Sequence, residues 1–271
     1  MSSEILECAR LILESKNLVA FAGAGLSQES GIPTFRGDQG IWKEYPPIIY
    51  GNLPGLALAF AFRPKRFRQF VASAISAFIQ AEPNPGHLAL AELFHRGLLK
   101  AVITQNIDNL EGRAGVKEVI QLHGSIYKMR CLRCGKIFEI SRERLLLALE
   151  QLQKISGRAS LIRFGRSLSK CPECGGIRRP DIVFFGEGLN PEDYDRAVDL
   201  ARSSDLMLVL GTSGLVYPAG YIPNYAKDSG ARLIEINPEP TALTPLSELT
   251  INSTSALALP EIIRLVDKFI S

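Results

Sequence analysis

The sequence predicts an α/β protein built on a doubly wound parallel sheet, with a smaller domain inserted into it. Short apolar runs alternate with amphipathic stretches along most of the chain, which is typical of strand–helix units in a parallel sheet. One basic, cysteine-containing segment interrupts the alternation, and 271 residues are enough for a large domain and a small one. The chain shows neither an apolar run long enough to cross a membrane nor a secretory leader, so we expect a cytoplasmic protein that does not associate with membranes.

The expected helices and strands follow from the spacing of apolar residues. Residues 3–15 are apolar at helical spacing, and Leu18–Ala22 is apolar throughout, as a strand buried on both faces would be. A helical region at 56–81 is expected to break near Pro64, whose ring replaces the backbone N–H. The other expected helices are 86–99, 191–203, 219–229 and 260–270, and the other expected strands are 101–103, 119–122, 206–210, 232–236 and 249–251.

Four of the five cysteines form two C-x-x-C pairs, Cys131 with Cys134 and Cys171 with Cys174. Four thiolates are a ligand set of structural zinc sites, and they leave no coordination position open for catalysis. We therefore expect one structural zinc ion. A thioredoxin-like redox motif is the alternative, but it would need only one pair. The fifth cysteine, Cys8, lies within the expected first helix and is interpreted as a small buried hydrophobe.

The interruptions of the strand–helix alternation define the expected domains. Segment 126–178 is basic, contains both cysteine pairs and has a helical stretch at 142–155, so we interpret it as a zinc-binding module. Residues 36–81 also break the alternation and are assigned to the helical part of the small domain. The sheet domain comprises the remaining residues, 1–35, 82–125 and 179–271.

A glycine turn follows the first expected strand. At Gly23-Ala24-Gly25 the missing Cβ atoms would let backbone N–H groups approach a phosphate at the start of a helix. Gln28 occupies the third glycine position of the dinucleotide fingerprint, so the fingerprint is incomplete. This turn alone leaves nucleotide binding and a tight structural turn as equal alternatives.

The continuation of this turn resembles the signature of the sirtuins, a family of NAD-dependent protein deacylases. Gly23–Gly37 reads GAGLSQESGIPTFRG, and further sirtuin-like motifs follow in the family's order. They are Thr104–Asp108 (TQNID), Leu122–Gly124 (LHG), the cysteine pairs, Pro180–Glu187 (PDIVFFGE), Gly211–Ser213 (GTS) and Ile236-Asn237. The resemblance covers roughly residues 5–265 and indicates a prokaryotic-like member.

The resemblance implies a site for NAD, which the reaction consumes as a co-substrate. The sheet domain then becomes the NAD-binding, Rossmann-like domain, and 36–81 carries the cofactor loop. His123 is implied as the catalytic base, assisted by Asn106. The implied NAD contacts are Gly23, Ala24, Gly25, Ser27, Gln28, Phe35, Arg36, Gln105, Asn106, Ile107, Asp108, His123, Gly211, Thr212, Ser213, Asn237 and Ser255. Three of them have structural alternatives: Phe35 as a loop anchor, and Asn106 and Asp108 as caps of turn backbone groups.

The resemblance also implies a peptide site. An extended segment containing Val183, Phe184, Phe185 and Gly186 is expected to pair with the acyl-lysine peptide as an added strand, with a plain core strand as the alternative. Sirtuins that remove succinyl or malonyl groups carry a Tyr and an Arg where this chain has Val71 and Ala74. We therefore expect acetyl and longer uncharged acyl groups to be accepted and succinyl to be rejected, because a buried carboxylate would lack a cation.

The implied reaction joins the acyl group to ADP-ribose. The acyl amide oxygen attacks the anomeric carbon of the nicotinamide ribose, and nicotinamide leaves. His123 deprotonates a ribose hydroxyl, which attacks the resulting imidate, and water completes the release of lysine and an O-acyl-ADP-ribose. The two substrates are expected to meet between the domains. The implied partners are acyl-lysine proteins or peptides, among them chromatin-associated proteins or metabolic enzymes. Mono-ADP-ribosyl transfer to protein is the alternative within the family.

Two other classes of protein share single features with this chain. A conventional NAD-dependent dehydrogenase would share the sheet but would not need the four-cysteine site. A zinc-dependent nucleic-acid-binding module would use the basic residues of the inserted segment, Lys128, Arg130, Arg133, Arg178 and Arg179. We interpret those residues as a solvated face, so direct nucleic-acid binding is not expected.

Overall fold

The computed structural model describes residues 3–33 and 41–270. The strands are β1 (Leu18–Ala22), β2 (Leu99–Thr104), β3 (Val119–Gln121), β4 (Gly124–Cys131), β5 (Ile137–Glu139), β6 (Arg178–Ile182), β7 (Leu206–Leu210), β8 (Arg232–Ile236) and β9 (Leu249–Ile251). The helices are α1 (Ser3–Glu14), α2 (Ile41–Glu44), α3 (Pro47–Tyr50), α4 (Leu53–Phe62), α5 (Pro64–Gln80), α6 (Pro85–His95), α7 (Leu110–Ala114), α8 (Arg142–Lys154), α9 (Arg158–Ser169), α10 (Pro191–Ser203), α11 (Ile222–Asp228) and α12 (Ser255–Ile270). Short 3₁₀ turns cover Ala24–Ser30, Ala219–Tyr221 and Thr244–Leu246.

The chain forms two compact units. The first comprises Met1–Ile32, Glu82–His123 and Leu189–Ser271, and the second comprises Pro33–Ala81 and Gly124–Gly188. Residues 124–125 and 179–188, which the sequence assigned to the sheet domain, cluster with the second unit because β4, which begins at Gly124, pairs with β6. Pro33, also assigned to the sheet domain, clusters with the second unit as well.

The first unit contains a six-stranded parallel sheet in the order β3-β2-β1-β7-β8-β9. Without the three strands of the second unit, this is the doubly wound order 3-2-1-4-5-6. The winding reverses between β1 and β7. Ligands of such sheets bind beyond the carboxyl ends of the strands at this switch point.

Alternate residues of β1 explain why helices cover both faces of this sheet. All five β1 residues are buried. Ala20 and Ala22 pack in one apolar cluster with residues of α1, α6 and α12, whereas Val19 and Phe21 pack in a second cluster with residues of α10 and α11. A strand buried on both faces reads as an unbroken apolar run, so the prediction of a doubly wound α/β sheet is confirmed.

The second unit is built around a three-stranded antiparallel sheet in the order β5-β4-β6. Its helices bury two small apolar clusters. One is formed by Tyr45, Tyr50 and Ala59, and the other by Ile79, Leu145 and Leu149. The predicted break at Pro64 separates α4 from α5, as expected.

Two helix boundaries differ from the sequence prediction by four residues or more. Helix α6 ends at His95, four residues early, because Gly97 takes a left-handed φ of 73° and the chain enters β2 at Leu99. Helix α12 begins at Ser255 and contains Pro260, which the sequence placed at its start. Within the described residues, no helix is both long and apolar enough to cross a bilayer.

Candidate functional site

Two glycine turns meet where the sheet reverses its winding. Gly23 and Gly25 follow β1, Gly211 follows β7, and the Gly25 N–H donates to the Gly211 carbonyl at 2.8 Å. A Cβ on Gly25 would lie 2.7 Å from the Gly211 Cα, and a Cβ on Gly23 would lie 2.6 Å from the Thr212 Cβ. The sequence left two explanations for Gly23 and Gly25 open, a tight structural turn and nucleotide binding. The close packing against Gly211 and Thr212 supports the tight structural turn.

A buried polar network joins the first turn to the end of β2. The Ser27 hydroxyl donates to Asp108 Oδ2 at 2.8 Å, and the Leu110 N–H donates to Asp108 Oδ1 at 2.9 Å. The Asn106 amide donates to the Gly23 carbonyl at 3.1 Å and to Ser27 Oγ at 3.2 Å. Asp108 is 2% exposed, and burial raises the pKa of its carboxyl. Asp108 therefore caps a turn backbone group through Oδ1, as the structural alternative proposed, and it also positions Ser27 through Oδ2.

His87 belongs to the same network, which the sequence did not anticipate. Asn84 caps α6, and its backbone N–H donates to His87 Nδ1 at 3.3 Å. The ring proton is then on Nε2, which lies 3.5 Å from Ser27 Oγ. Burial lowers the His87 pKa to about 4, so the ring is neutral and can donate toward Ser27. His87 therefore helps to cap α6 through Nδ1 and contacts Ser27 through Nε2.

Beneath the network lies a carboxyl that the sequence did not single out. Glu111 is fully buried in α7, and neither of its carboxyl oxygens has a hydrogen-bond partner among the described residues. Burial and the neighbouring Asp108 raise its pKa to about 8, and an interaction with Thr104 opposes that rise. The Glu111 carboxyl, which lies close to Asp108, is therefore protonated at neutral pH.

His123 follows β3 at the same edge of the sheet and is half-buried. Its Nδ1 lies 2.9 Å from the Gln105 carbonyl oxygen, which can only accept, so Nδ1 carries the ring proton. Nε2 is then a lone-pair acceptor, and no described residue forms a hydrogen bond with it. Burial lowers the His123 pKa, while the Gln105 bond opposes that change. The ring is thus neutral near pH 7 and presents a basic nitrogen.

The ends of β7 and β8 are joined through Thr212. Gln105 Nε2 donates to Thr212 Oγ1 at 2.8 Å, and Asn237 Nδ2 donates to the Thr212 carbonyl at 3.1 Å. Ser213 is exposed beside Thr212. The remaining predicted residues of this edge lie in the turns after β1 and β2, namely Ala24, Gln28 and Ile107.

Two buried hydroxyls lie unpaired at the start of α12. Thr254 Oγ1 and Ser255 Oγ have no hydrogen-bond partner among the described residues. Ser255 is 2% exposed, and its carbonyl lies 3.1 Å from where a Cβ on Gly86 would be. Buried polar atoms are nearly always paired, so these two oxygens are candidates for contact with a ligand or bound water.

In the second unit, the four predicted zinc ligands come together. The Sγ atoms of Cys131, Cys134, Cys171 and Cys174 all lie within 4.8 Å of one another. Cys131 and Cys174 are 3.6 Å apart, and Cys134 and Cys171 are 3.8 Å apart. A tetrahedron with Zn–S bonds of about 2.3 Å has edges of about 3.8 Å, so the cluster fits zinc.

Backbone turns hold these thiols in place. The N–H of Gly135 donates to the Cys131 carbonyl and that of Gly175 to the Cys171 carbonyl, each at 3.0 Å. Both glycines have left-handed φ angles, 72° and 70°, which only glycine adopts without strain. The Cys134 and Arg133 backbone N–H groups are among the donors that lower the Cys131 pKa to about 6. Against a backbone hydrogen bond from Lys136, burial and the neighbouring thiols raise the Cys134 pKa to about 11, so without a metal the four thiols do not all ionise at neutral pH.

The predicted peptide-pairing segment is only partly extended. β6 ends at Ile182, Val183 and Phe184 continue without regular structure, and Phe185 and Gly186 form a turn. The turn forms because Glu187 Oε2 accepts the Phe184 N–H at 3.0 Å, Glu187 Oε1 accepts a hydrogen bond from Arg179 at 2.8 Å, and Gly186 takes a φ of 89°. Phe184 is half-buried, and Phe185 is 51% exposed.

The remaining predicted residues fall into two groups. Phe35 and Arg36 lie outside the described residues. Val71 and Ala74 lie half-buried on α5. The neighbouring Arg66 donates to the Glu44 carbonyl at 2.9 Å, and Arg68 donates to the Ile155 carbonyl.

Comparisons with known proteins agree with this arrangement. Residues 23–218 match the model of the Sir2 family. The chain is 42% identical to an NAD-dependent protein deacylase of Pyrococcus abyssi over 98% of this chain and 99% of the relative. A crystal structure of a Sir2 homologue with NAD has a TM-score of 0.79 and 38% identity, covering 98% of this chain and 94% of that one.

A Sir2 structure containing a deacetylated p53 peptide and 3′-O-acetyl-ADP-ribose has a TM-score of 0.78 and 35% identity, covering 96% of this chain and 98% of that one. With the family model matched over most of the sequence and a relative matched end to end, this chain belongs to the Sir2 family, the sirtuins.

Proposed function

We propose that the protein is an NAD-dependent protein lysine deacylase that transfers the acyl group to ADP-ribose and releases nicotinamide. The names of its full-length relatives support this activity, as does the Sir2 structure that contains a deacetylated peptide together with acetyl-ADP-ribose. Mono-ADP-ribosyl transfer to protein is the alternative, and neither of these comparisons favours it.

The protonation state of His123 is the observation that carries the proposal. Because the Gln105 carbonyl holds the proton on Nδ1, Nε2 is available to take a proton from a ribose hydroxyl. Burial keeps the ring neutral at the pH at which it must act as a base. Both ring nitrogens of His87 contact protein groups, whereas among the described residues only Nδ1 of His123 forms a hydrogen bond.

The polar edge of the first unit is the proposed NAD site. NAD supplies an activated ribosyl carbon and accepts the acyl group. Asn106 and Asp108 are proposed to lie against the nicotinamide-ribose half, with Ser27 fixed between them. Thr212, Asn237 and Ser255 are proposed to hold the adenosine half, where the unpaired hydroxyls of Thr254 and Ser255 can bond to it.

The second unit is proposed to bind zinc and the acylated substrate. Four thiolates close the metal's coordination shell, so the ion stabilises the small β5-β4-β6 sheet and takes no part in chemistry. Val183–Gly186 is proposed to bind the peptide through its remaining backbone groups, since the N–H groups of Phe184 and Phe185 donate to Glu187 and to the Gly51 carbonyl. Backbone recognition suits substrates of varied sequence. Chromatin-associated proteins and metabolic enzymes that carry acyl-lysine are the proposed substrate classes.

The test is nicotinamide release with an acetyl-lysine peptide. Wild type should release nicotinamide and deacetylated peptide in equal amounts. His123→Ala should lower turnover by about 10²–10⁴-fold, the usual effect of losing a general base. His95→Ala, which changes an exposed histidine at the end of α6, should leave turnover unchanged. Retention of more than about a tenth of wild-type turnover by His123→Ala would remove His123 from its proposed role.

A further inference from the structure

Helix α9 lies within a strongly basic stretch of the second unit. The seventeen residues from Lys154 to Lys170 contain five basic and no acidic side chains. Because the whole chain has a net charge of +3, the rest of it carries a net charge of −2. The segment is therefore one of the strongly basic stretches of the chain, together with residues 63–68, which contain four basic and no acidic side chains.

The basic side chains share one side of the helix. At 100° per residue, Arg158, Arg163, Arg166 and the following Lys170 fall within an arc of about 140°. Apolar side chains occupy the other side, where Leu161 is buried and Phe164 is half-buried. We call the four cations the α9 basic face; each of them is exposed.

The α9 basic face has no acidic partner among the described residues. Within the described part of the chain, these four side chains form a single hydrogen bond, from Arg163 to Ser160 Oγ at 3.5 Å. Elsewhere in the unit, cations are paired, as Arg130 is with Asp181 at 2.7 Å and Arg179 with Glu187 at 2.8 Å. Like charges on one helix face repel each other, so this face is better suited to binding an external anion than to stabilising the fold.

The shape of the face indicates which anion fits. Ala159 and Ser169 are the small residues that fall within the basic arc, so a long, rigid polyanion can approach the helix backbone there. Twelve residues span about 18 Å, along which duplex DNA presents roughly ten phosphates. The one bulky apolar residue within the basic arc, Ile162, is half-buried, so the face lacks the exposed anchors used by membrane helices and protein hot spots. It also lacks an exposed aromatic ring on which single-stranded bases could stack.

We propose that the α9 basic face binds the phosphate backbone of double-stranded DNA without reading its sequence. The sequence-based expectation of no direct nucleic-acid contact rested on other basic residues. Of those, Arg130 and Arg179 are paired with acids, and Arg178 lies over the Phe138 ring. This proposal goes beyond deacylation and does not depend on it.

The experiment measures anisotropy of a fluorescein-labelled DNA duplex of about 20 base pairs at several salt concentrations. The wild type, as the full zinc-loaded chain, is compared with the triple variant Arg158→Gln, Arg163→Gln and Arg166→Gln. The matched control removes the same charge from exposed lysines of the first unit, Lys100→Gln, Lys227→Gln and Lys268→Gln. Thermal melting checks that both variants are folded.

The triple variant should lose more than about tenfold in affinity, and its slope of log affinity against log salt should be shallower by about 3. The control should bind like wild type. Equal loss in the control would overturn the assignment to α9, and absence of wild-type binding at low salt would overturn DNA binding altogether. Equally effective competition by poly-glutamate or by unlabelled single-stranded DNA, or tighter binding to phosphatidylserine-containing vesicles, would identify a different partner and overturn the proposal as well.

Discussion

Replacing Glu111 with glutamine should make the protein more stable at neutral and alkaline pH. Glu111 is fully buried, its two carboxyl oxygens are unpaired among the described residues, and the Asp108 carboxyl is close. Glutamine has nearly the same shape and cannot ionise. The substitution therefore removes the titration and leaves the packing of α7 in place.

The sign and size of the effect follow from the pKa of Glu111. Its pKa is about 8 in the folded protein, against 4.5 for the ordinary side chain. Below the ordinary pKa both states are protonated, so wild type and variant should have similar free energies of unfolding. Between the two pKa values only the unfolded chain loses the proton, and folding stability falls by up to about 1.4 kcal/mol per pH unit. Above the folded pKa the loss levels off.

The assay is urea unfolding followed by circular dichroism from about pH 5 to pH 9. The advantage of Glu111→Gln over wild type should be small at the acidic end and exceed about 2 kcal/mol at the alkaline end. Glu118→Gln is the control, because Glu118 is 59% exposed and pairs with Arg196 at 3.5 Å. A difference between Glu111→Gln and wild type that is constant across this pH range would refute the reasoning.

Three further predictions concern the glycine turn, the metal site and the choice of acyl group. Gly25→Ala should destabilise the protein by about 1–3 kcal/mol in urea unfolding, because its Cβ would lie 2.7 Å from the Gly211 Cα. The control, Gly165→Ala, should be neutral or stabilising, because no atom lies within 4 Å of the new Cβ. Wild type should contain about one zinc per chain by metal analysis, and Cys131→Ser should lower zinc content and melting temperature together; a metal-free wild type with an intact fold would contradict this. On one peptide, kcat/KM should be higher for acetyl-lysine and myristoyl-lysine than for succinyl-lysine. Val71 and Ala74 offer no cation to a succinyl carboxylate, and Arg66 and Arg68 donate to backbone carbonyls. Succinyl turnover equal to acetyl turnover would contradict this prediction.

The sequence predicts the framework well, because the framework depends on local patterns. Short unbroken apolar runs such as Leu18–Ala22, followed by turn glycines and alternating with helices, are typical of strands buried on both faces, and they predict the doubly wound sheet. The two C-x-x-C pairs likewise identify four ligands that the fold brings within 4.8 Å of one another, across a gap that contains α8 and α9.

Features that depend on distant contacts were not predictable in the same way. The His123 tautomer depends on the Gln105 carbonyl, and the burial of Glu111 depends on how α7 packs. The turn at Phe185 and Gly186 requires Glu187 to reach back to the Phe184 N–H, although the glycine after two phenylalanines was a usable signal. The sequence did not predict α9 for a local reason: the helix starts at Gly157, which has no side chain to cap it.

The most direct test of the proposed function follows the acyl group. An acetyl-lysine peptide is incubated with the protein, with and without NAD, and all products are identified by mass spectrometry. The peptide should lose its acetyl group only when NAD is present, and O-acetyl-ADP-ribose should appear in the same amount as nicotinamide. Acetate released without NAD, or ADP-ribose attached to the peptide, would contradict NAD-dependent acyl transfer by this protein.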